Sequence, residues 1–401
     1  MTTSAPTSAG ATGARDGASD AVTGADAATG GTGGPIGPRR FLVLSLRPVL
    51  LYLASRAGVL LVAEATASTT HQRLPGVLTV WDSTWYLSIA QGGYVHHIPP
   101  GLGNPAQSNL GFFPLLPILV RATHEVTRFG IPVSGLLTTF VVGVAASVAV
   151  WWMLHDIFGM RGADRGTALI FFSPGAVVLS FVYSEAVTIV LVACTLMALR
   201  RKRWLVAGAC AAVVTAADPV ALAVIVPCVV AAVAAIRTDR EWKALLAPLL
   251  APLGIAAFFC YLWAHTGSPL EYFRAQRAGW QSGAYFYGIP GSFLRLFAHG
   301  FVDPDYAVKA VSAVVVVGLL VLFFRARPPA PWIGYVVAVL AFGAVSPVIG
   351  VTPRLILRGF PLLGVVGAKL PPLWFEAVLG LSTLIMAALA MMTMGGPLWT
   401  P

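Results

Sequence analysis

Charged residues are scarce in this chain of 401 residues. Only 10% of its residues carry a charge and 57% are hydrophobic, whereas a soluble domain usually carries about 25% charge. Mean hydropathy is +0.80, and several apolar runs exceed the roughly 18 residues that favour a membrane-spanning helix. These values exclude an ordinary soluble protein and predict an all-α polytopic membrane protein.

Cysteine is also rare, and its placement gives no sign of a metal site. All four cysteines lie in apolar runs without metal-ligand spacing, so we interpret them as small packing residues. His96 and His97 are adjacent, which is a weak metal signal, and no Asp-x-Asp pair accompanies them. The sequence therefore predicts no metal and no cofactor. The cysteines are Cys194, Cys210, Cys228 and Cys260.

Basic residues give the chain a net charge of +10. In a soluble protein this excess would suggest nucleic-acid binding. Here the positive charges cluster at the ends of apolar runs, as in the stretch Arg200-Arg201-Lys202-Arg203. That pattern is typical of cytoplasmic loops in membrane proteins. We therefore predict membrane lipids as partners, no nucleic acid, and a multi-pass cell-membrane location.

The basic loops also suggest how the chain crosses the membrane. Residues 1–38 have the composition of a disordered tail, and residues 39–401 form the predicted transmembrane domain. Segment 111–128 carries too many polar groups to cross lipid cheaply, so we predict an amphipathic helix in the outer interface. The N-terminus is then cytoplasmic, and residues 64–130 form an outer catalytic loop. The eleven predicted spans are 41–63, 131–155, 166–181, 183–199, 204–217, 219–236, 244–264, 306–324, 332–345, 355–368 and 373–394.

The stretch 81–94, just beyond the first span, is a polar island with a single acid. Asp82 stands between Trp81 and Trp85, and a partly desolvated carboxylate suits general-base work. The alternative is that Trp81, Trp85 and Tyr86 form an interfacial aromatic belt and that Asp82 caps a helix.

Other polar residues fall on the same predicted outer face. Glu185 lies at the edge of a span, where an acid is a functional candidate or a carboxylate that favours a helix start. Arg354 opens a span from the outer side, where a guanidinium suits a phosphate. Its alternative role is a structural ion pair with Glu185 or Asp218. This convergence favours a functional site over a passive bundle.

The loop after residue 264 contains a further candidate. Phe273, Gln276 and Trp280 recur at helical spacing, with Arg274 and Arg277 beside them. A short interfacial helix of this kind presents groups that suit a lipid phosphate or a sugar hydroxyl. The alternative is that both arginines contact anionic headgroups.

In their order, these motifs resemble those of the PIG-V-type mannosyltransferases, a family of GT-C integral-membrane glycosyltransferases, here as a bacterial member. The resemblance covers roughly residues 40–370. The motifs that carry it are Trp81-Asp82, Trp85-Tyr86, Ile89-Ala90, Gly93-Tyr94, Phe112-Phe113-Pro114-Leu115-Leu116-Pro117, Pro174, Tyr183-Ser184-Glu185, Phe273 with Gln276 and Trp280, Ser346, Pro353-Arg354 and Phe360-Pro361-Leu362.

The resemblance implies a GT-C-type bundle that transfers a sugar from a polyprenyl-phosphate donor, with mannose as the expected sugar. The acceptor would be a glycolipid or protein on the extracytoplasmic face. Asp82 would deprotonate the acceptor hydroxyl, and Arg354, Gln276 and Arg277 would bind the donor phosphate. The implied substrate-binding residues are Trp81, Trp85, Tyr86, Tyr94, Tyr183, Glu185 and Asp218.

Two departures from the family pattern keep other functions open. The family often has an acid after Gly93-Tyr94, where this chain has Val95-His96-His97, and often a basic residue at the position of Asp218. A transporter or flippase of lipid-linked sugars is one alternative, although it should show two related halves. A non-catalytic relative that assembles the cell envelope is the other.

Overall fold

A computed structural model of the protein describes residues 37–98, 106–280, 294, 297–298, 304–345 and 350–396. In this part of the chain all regular elements are helices, which confirms the predicted all-α class. The chain divides into two units, Met1–Phe41 and Leu42–Pro401. The structure describes the first unit from residue 37 onwards, and the first helix begins at Pro38. Residues 1–36 of the predicted disordered tail lie outside the described residues.

The α-helices of the described residues range in length from 5 to 41 residues. Four 3₁₀ helices, at Asn109–Gly111, Pro174–Ser180, Pro219–Val224 and Trp242–Leu245, interrupt the α-helices of the described residues. The α-helices are α1 (Pro38–Thr70), α2 (Leu74–Leu78), α3 (Asp82–Gly92), α4 (Leu115–Thr127), α5 (Ile131–Phe171), α6 (Glu185–Arg200), α7 (Trp204–Val214), α8 (Ile225–Asp239), α9 (Leu246–Leu250), α10 (Leu253–Thr266), α11 (Glu271–Trp280), α12 (Pro304–Arg325), α13 (Ala330–Val345), α14 (Pro353–Arg358), α15 (Phe360–Lys369) and α16 (Pro372–Gly395).

Several of these helices are long and apolar enough to cross a membrane, so the chain is a multi-pass membrane protein. Among the described residues six helical segments meet this condition, or seven if one bent pair counts as a single span. Three shorter apolar helices, α7, α13 and α15, coincide with further predicted spans. A helix of about 11 residues, such as α7, rises only about 16 Å. It is therefore too short to cross roughly 30 Å of hydrocarbon alone. The six long segments are Pro38–Thr70, Ile131–Phe171, Pro219–Asp239, Trp242–Thr266, Pro304–Arg325 and Pro372–Gly395.

Helix α5 accounts for part of the difference from eleven predicted spans. The predicted spans 131–155 and 166–181 are joined, because α5 continues through residues 156–165 and kinks at Gly159, where φ is 66°. Glycine adopts this left-handed conformation without the steric cost that a Cβ would add. The second predicted span then ends early at Phe171, and the chain continues into the 3₁₀ helix Pro174–Ser180.

The 3₁₀ helix Pro174–Ser180 and helix α6 form a sharply broken segment. They meet at an angle of 109°, and the bend carries residues 181–184. Gly175 lies so close to helix α14 that a Cβ at this position would stand 2.1 Å from the carbonyl oxygen of Pro353. A larger residue at 175 would therefore displace the start of α14. The close approach brings the bend and α14 together.

Segment 111–128 contains helix α4, and its exposure fits the predicted amphipathic character. Leu116 and Val120 are fully buried, whereas Arg121 and Arg128 are exposed. Arg128 also pairs with Glu125 one turn earlier, at 2.9 Å. The polar side of α4 thus lies away from the protein core, and its place in the outer interface of the membrane stays a prediction.

Candidate active site

Asp82 occupies the first turn of helix α3. The preceding residue, Trp81, has a φ of 55°, and its indole Nε1 donates a hydrogen bond of 3.1 Å to the carbonyl oxygen of Thr393 in α16. About 30% of the Asp82 side chain is exposed, and its Oδ2 accepts a hydrogen bond of 2.7 Å from Nη1 of Arg354. Asp82 makes no side-chain cap at the start of α3. The predicted capping role is therefore not seen.

Helix α14 carries two arginines one turn apart. Thr352 caps the helix, with Oγ1 accepting from the backbone N–H of Leu355 at 3.2 Å, and Pro353 fits the first helical position because no N–H is needed there. Arg354 and Arg358 are separated by four residues, so their side chains extend from the same face of the helix. Both guanidinium groups reach the same carboxylate, that of Glu185.

Glu185 begins helix α6 and is fully buried. Its Oε1 accepts hydrogen bonds from Nε of Arg354 at 2.5 Å, Nε of Arg358 at 3.0 Å and Nη2 of Arg358 at 2.7 Å. A buried carboxylate without a partner of opposite charge would be strongly unfavourable, and two guanidinium groups offset that cost. The second oxygen, Oε2, has no hydrogen-bond partner among the described residues.

Asp218 adds a third carboxylate to the same line of charges. Its Oδ1 lies 3.4 Å from Nη1 of Arg358 and accepts the backbone N–H of Ala221, which caps the 3₁₀ helix that follows. Its Oδ2 accepts from the hydroxyls of Thr188, at 2.9 Å, and Ser184, at 3.3 Å. Asp218 is therefore a well-satisfied acid whose negative charge faces Arg358.

These five side chains form a continuous ionic cluster of alternating charge. Asp82 lies at the exposed end and Asp218 at the buried end, where only 2% of its side chain is accessible. Three carboxylates and two guanidinium groups leave one formal negative charge if all are ionised. The members in order are Asp82, Arg354, Glu185, Arg358 and Asp218.

Two tyrosines lie against the ionic cluster. The guanidinium carbon of Arg354 stands 4.4 Å from the ring centroid of Tyr183, whose hydroxyl accepts a long hydrogen bond of 3.4 Å from the backbone N–H of Asp82. Tyr86 donates to the hydroxyl of Ser184 at 3.4 Å. Burial, followed by the charge of Asp82, raises the pKa of the Tyr86 phenol far above its usual value. This phenol therefore stays neutral beside the carboxylates.

An aromatic cluster of Trp85, Phe112 and Trp280 lies next to Tyr86. Trp85 stacks on Phe112 with ring centroids 5.9 Å apart, and Trp280 packs edge-on against both rings. The ring of Tyr86 meets Phe112 at 5.2 Å. Tyr86 thus contacts the aromatic cluster with its ring, and its hydroxyl bonds to Ser184, which bonds to Asp218 of the ionic cluster.

Gln276, Arg277 and Tyr94 do not contact the ionic cluster in the described structure. Nε2 of Gln276 donates to the carbonyl oxygen of Gly111 at 2.7 Å, and Tyr94 donates to that of Phe112 at 2.9 Å. These bonds join α11 and the chain after α3 to the segment before α4. Arg277 is exposed. Their assignment to donor or substrate binding stays a prediction.

His96, one of the two adjacent histidines, packs against His265. The ring of His96 stacks on that of His265 at 4.1 Å, and its Nδ1 lies 3.1 Å from the carbonyl oxygen of His265. No group of three or more His, Cys, Asp or Glu side chains suited to a metal is found among the described residues.

Sequence reasoning overlooked Arg358. The hydropathy pattern includes it in the predicted span 355–368, although an arginine inside a span normally has a polar partner. Its spacing of four from Arg354 is the signal that would have found it. For Arg354, the structure shows the predicted alternative of an ion pair with Glu185, together with a second pair to Asp82.

The described helices and the ionic cluster define a polytopic helical membrane protein with a largely buried charged site, of which Asp82 is the most exposed member. A scan of protein-family profiles and a search of curated proteins both give no match. Among solved structures, ArnT from Cupriavidus metallidurans bound to undecaprenyl phosphate is similar, with 17% identity, a TM-score of 0.46, and coverage of 74% of this chain and 60% of that chain. The same protein in the apo state gives 16% identity, a TM-score of 0.48, and coverage of 73% and 55%. This chain thus matches less than two thirds of the length of either structure, and nothing about its activity follows from the likeness.

Proposed function

We propose that this protein is a membrane glycosyltransferase that moves a sugar from a polyprenyl-phosphate donor to a glycolipid or protein acceptor on the extracytoplasmic face. The observation that carries the proposal is the exposed end of the ionic cluster, where a partly accessible carboxylate, Asp82, lies 2.7 Å from the guanidinium of Arg354. One site thus holds a carboxylate that suits the role of general base and a guanidinium that suits a phosphate.

The reaction we propose is a single displacement with inversion at the anomeric carbon. The acceptor oxygen forms a bond to that carbon while its proton passes to the Asp82 carboxylate. The bond between the anomeric carbon and the phosphate oxygen breaks, and its electron pair leaves with the lipid phosphate. Arg354 offsets the negative charge that grows on the departing phosphate.

The surroundings of the site support a lipid-linked donor. The ring of Tyr86 contacts Phe112, which packs with Trp85 and Trp280. The hydroxyl of Tyr86 bonds to that of Ser184, which in turn bonds to Asp218 of the ionic cluster. Aromatic side chains of this kind are enriched at membrane interfaces, where they contact both lipid and polar groups. Mannose as the sugar rests on the sequence resemblance to PIG-V-type mannosyltransferases.

The charge of Asp218 is compatible with this proposal. A free acid beside the site would repel a phosphate, but Asp218 faces Arg358 and accepts three further hydrogen bonds. Its position at the buried end of the cluster leaves Arg358 and Glu185 between it and Arg354.

One observation favours a transporter of lipid-linked sugars as a second candidate. The segment formed by Pro174–Ser180 and α6 is broken at 109°, and transporters often build their substrate sites from broken helices. The bend leads directly into Glu185. A transporter would move the whole lipid-linked sugar and would leave its glycosidic bond intact.

The experiment that tests the proposal uses the purified full-length protein in proteoliposomes with polyprenyl-phosphate mannose labelled in the sugar. A glycosyltransferase moves the label from the donor lipid to an acceptor in an extract of envelope glycolipids and proteins. Arg354→Gln should lower the efficiency of donor use, because the charge that offsets the leaving phosphate is lost. Transfer at the wild-type rate in this variant contradicts the role of Arg354, and movement of intact labelled lipid between leaflets without transfer favours the transporter.

A further inference from the structure

Arg354 is shared between two carboxylates in different surroundings. Its Nε bonds to Glu185, whose side chain is 0% exposed, and its Nη1 bonds to Asp82, whose side chain is 30% exposed. The same guanidinium therefore has one fully buried partner and one partly exposed partner.

Glu185 is held in place independently of Arg354. Two N–H groups of Arg358, at 3.0 Å and 2.7 Å, donate to the same oxygen, and the start of helix α6 adds the favourable end of the helix dipole. Exchange of this buried partner would leave two guanidinium groups without their shared anion. Glu185 is thus the fixed partner of Arg354.

Asp82 is held much less firmly. Its carboxylate receives the Nη1 group of Arg354, and the described residues supply it with no second side-chain donor. A partly exposed ion pair of this kind contributes little to stability, because water and dissolved ions compete for both groups. Asp82 is thus the partner of Arg354 that an incoming anion can replace.

The proposed reaction also requires these two groups to separate. In a displacement with inversion, the attacking oxygen and the departing oxygen stand on opposite sides of the anomeric carbon. In inverting glycoside hydrolysis the two catalytic groups accordingly lie about 6.5–9.5 Å apart, with the reacting atoms between them. A direct bond of 2.7 Å between Asp82 and Arg354 leaves no room for a sugar.

We propose that the donor phosphate replaces Asp82 on Nη1 of Arg354, so that donor binding opens the ion pair and releases Asp82 to act as the base. This inference rests on the proposed function. Under this exchange the donor binds first and the acceptor second. Asp82 is free to accept a proton only after the phosphate has taken its position on Arg354.

The test is a binding measurement on the full-length protein in phosphatidylcholine nanodiscs, with a polyprenyl monophosphate as the probe. Asp82→Asn and Asp82→Ala remove the competing anion, so both should bind the phosphate about two- to fivefold more tightly than the wild type. Asp156→Asn is the matched control, because Asp156 also pairs with an arginine, Arg201, at 2.7 Å in a partly exposed site. It should bind like the wild type, and the parent polyprenol should show no tightening with any variant.

Each outcome decides the inference. Tighter phosphate binding by the two Asp82 variants, with Asp156→Asn unchanged, supports exchange on Arg354. Equal or weaker binding by folded Asp82 variants, while the wild type binds and transfers sugar, overturns the exchange and leaves the proposed function standing. If the wild type binds the monophosphate no better than the polyprenol, both the exchange and the proposed donor are wrong.

Discussion

In the described part of the chain, two regions bury guanidinium groups, and they differ in what surrounds them. In the ionic cluster, Arg354 and Arg358 face three carboxylates. In helix α1, Arg56 is 3% exposed, and its Nη1 donates to the carbonyl oxygen of Ala176 and the hydroxyl of Ser180, both at 2.7 Å. Within the described residues no carboxylate pairs with Arg56.

Arg56 binds backbone carbonyl groups, whereas Arg354 and Arg358 bind charged carboxylates. Arg56 also donates to the carbonyl oxygen of Phe171, at 3.3 Å, where α5 ends and the negative end of its dipole lies. It thus joins both ends of the segment that leads into the bend before Glu185. Carbonyl partners are fixed parts of the chain, whereas an exposed carboxylate such as Asp82 can be exchanged for another anion.

Replacing Glu185 with glutamine should have the largest effect on stability. The two guanidinium groups of Arg354 and Arg358 would then share a neutral amide, and the loss of one partner from a buried ionic group costs about 3–5 kcal/mol. The free energy of unfolding in detergent measures this loss. Glu376→Gln is the control, because Glu376 is exposed on α16 and should change stability little. A loss below about 1 kcal/mol for Glu185→Gln would contradict the central place of Glu185.

Replacing Arg56 with methionine should destabilise the protein without changing its use of the donor. The carbonyl group of Ala176 would lose the N–H group of Arg56, and an unsatisfied buried group costs about 1–3 kcal/mol. The carbonyl group of Phe171 keeps the hydroxyl of Ser55 as a donor. Donor KM should stay within about twofold of the wild-type value, measured on protein that remains folded. A large rise in KM at unchanged stability would assign Arg56 to the site and remove the distinction between the two regions.

Replacing Asp218 with asparagine should have a smaller effect. The side-chain oxygen can still accept the N–H of Ala221 and a hydroxyl, but the charge that faces Arg358 is lost, at a cost of about 1–2 kcal/mol. Thermal unfolding of the variant beside Thr188→Val, which removes one hydroxyl donor, separates the charge from the hydrogen bond. No loss in Asp218→Asn would show that Arg358 is satisfied by Glu185 alone.

Replacing Asp156 with asparagine should have the smallest effect. The pair with Arg201 is 23% and 48% exposed at its two side chains, so solvent screens it, and such pairs contribute about 0–1 kcal/mol. The difference from the wild type in the free energy of unfolding should be small in low salt and smaller still in high salt. A loss as large as that of Asp218→Asn would mean that exposure does not govern these ion pairs.

The sequence allowed the members of the ionic cluster to be predicted in part. Alternating the basic loops across the membrane put Asp82, Glu185, Asp218 and Arg354 on one side, and the structure brings these four side chains into one ionic cluster. Their roles in catalysis and binding stay predictions. Charge placement is a strong signal in a membrane protein because each buried charge is costly without a partner.

The rest depended on contacts that no local pattern contains. Hydropathy averages over a window, so it hides Arg358 within the predicted span 355–368. It also predicts a break between the spans 131–155 and 166–181, where α5 continues through a kink at Gly159. The position of Gln276 depends on how α11 packs against Gly111, which helical spacing alone does not specify. Arg56 falls in the predicted span 41–63 without a local sign of its partners, since the carbonyl groups that bind it come from a segment more than a hundred residues away.

The most direct test of this account compares two aspartate-to-asparagine variants, Asp82→Asn and Asp156→Asn, in the same sugar-transfer assay. Both aspartates pair with an arginine at 2.7 Å and both are partly exposed, so a loss caused by the broken pair alone would appear in both. The account predicts that kcat falls by about 10²–10⁴-fold in Asp82→Asn, because the base is removed, and stays at the wild-type value in Asp156→Asn. Equal kcat values for the two folded variants would contradict the assignment of Asp82 as the base.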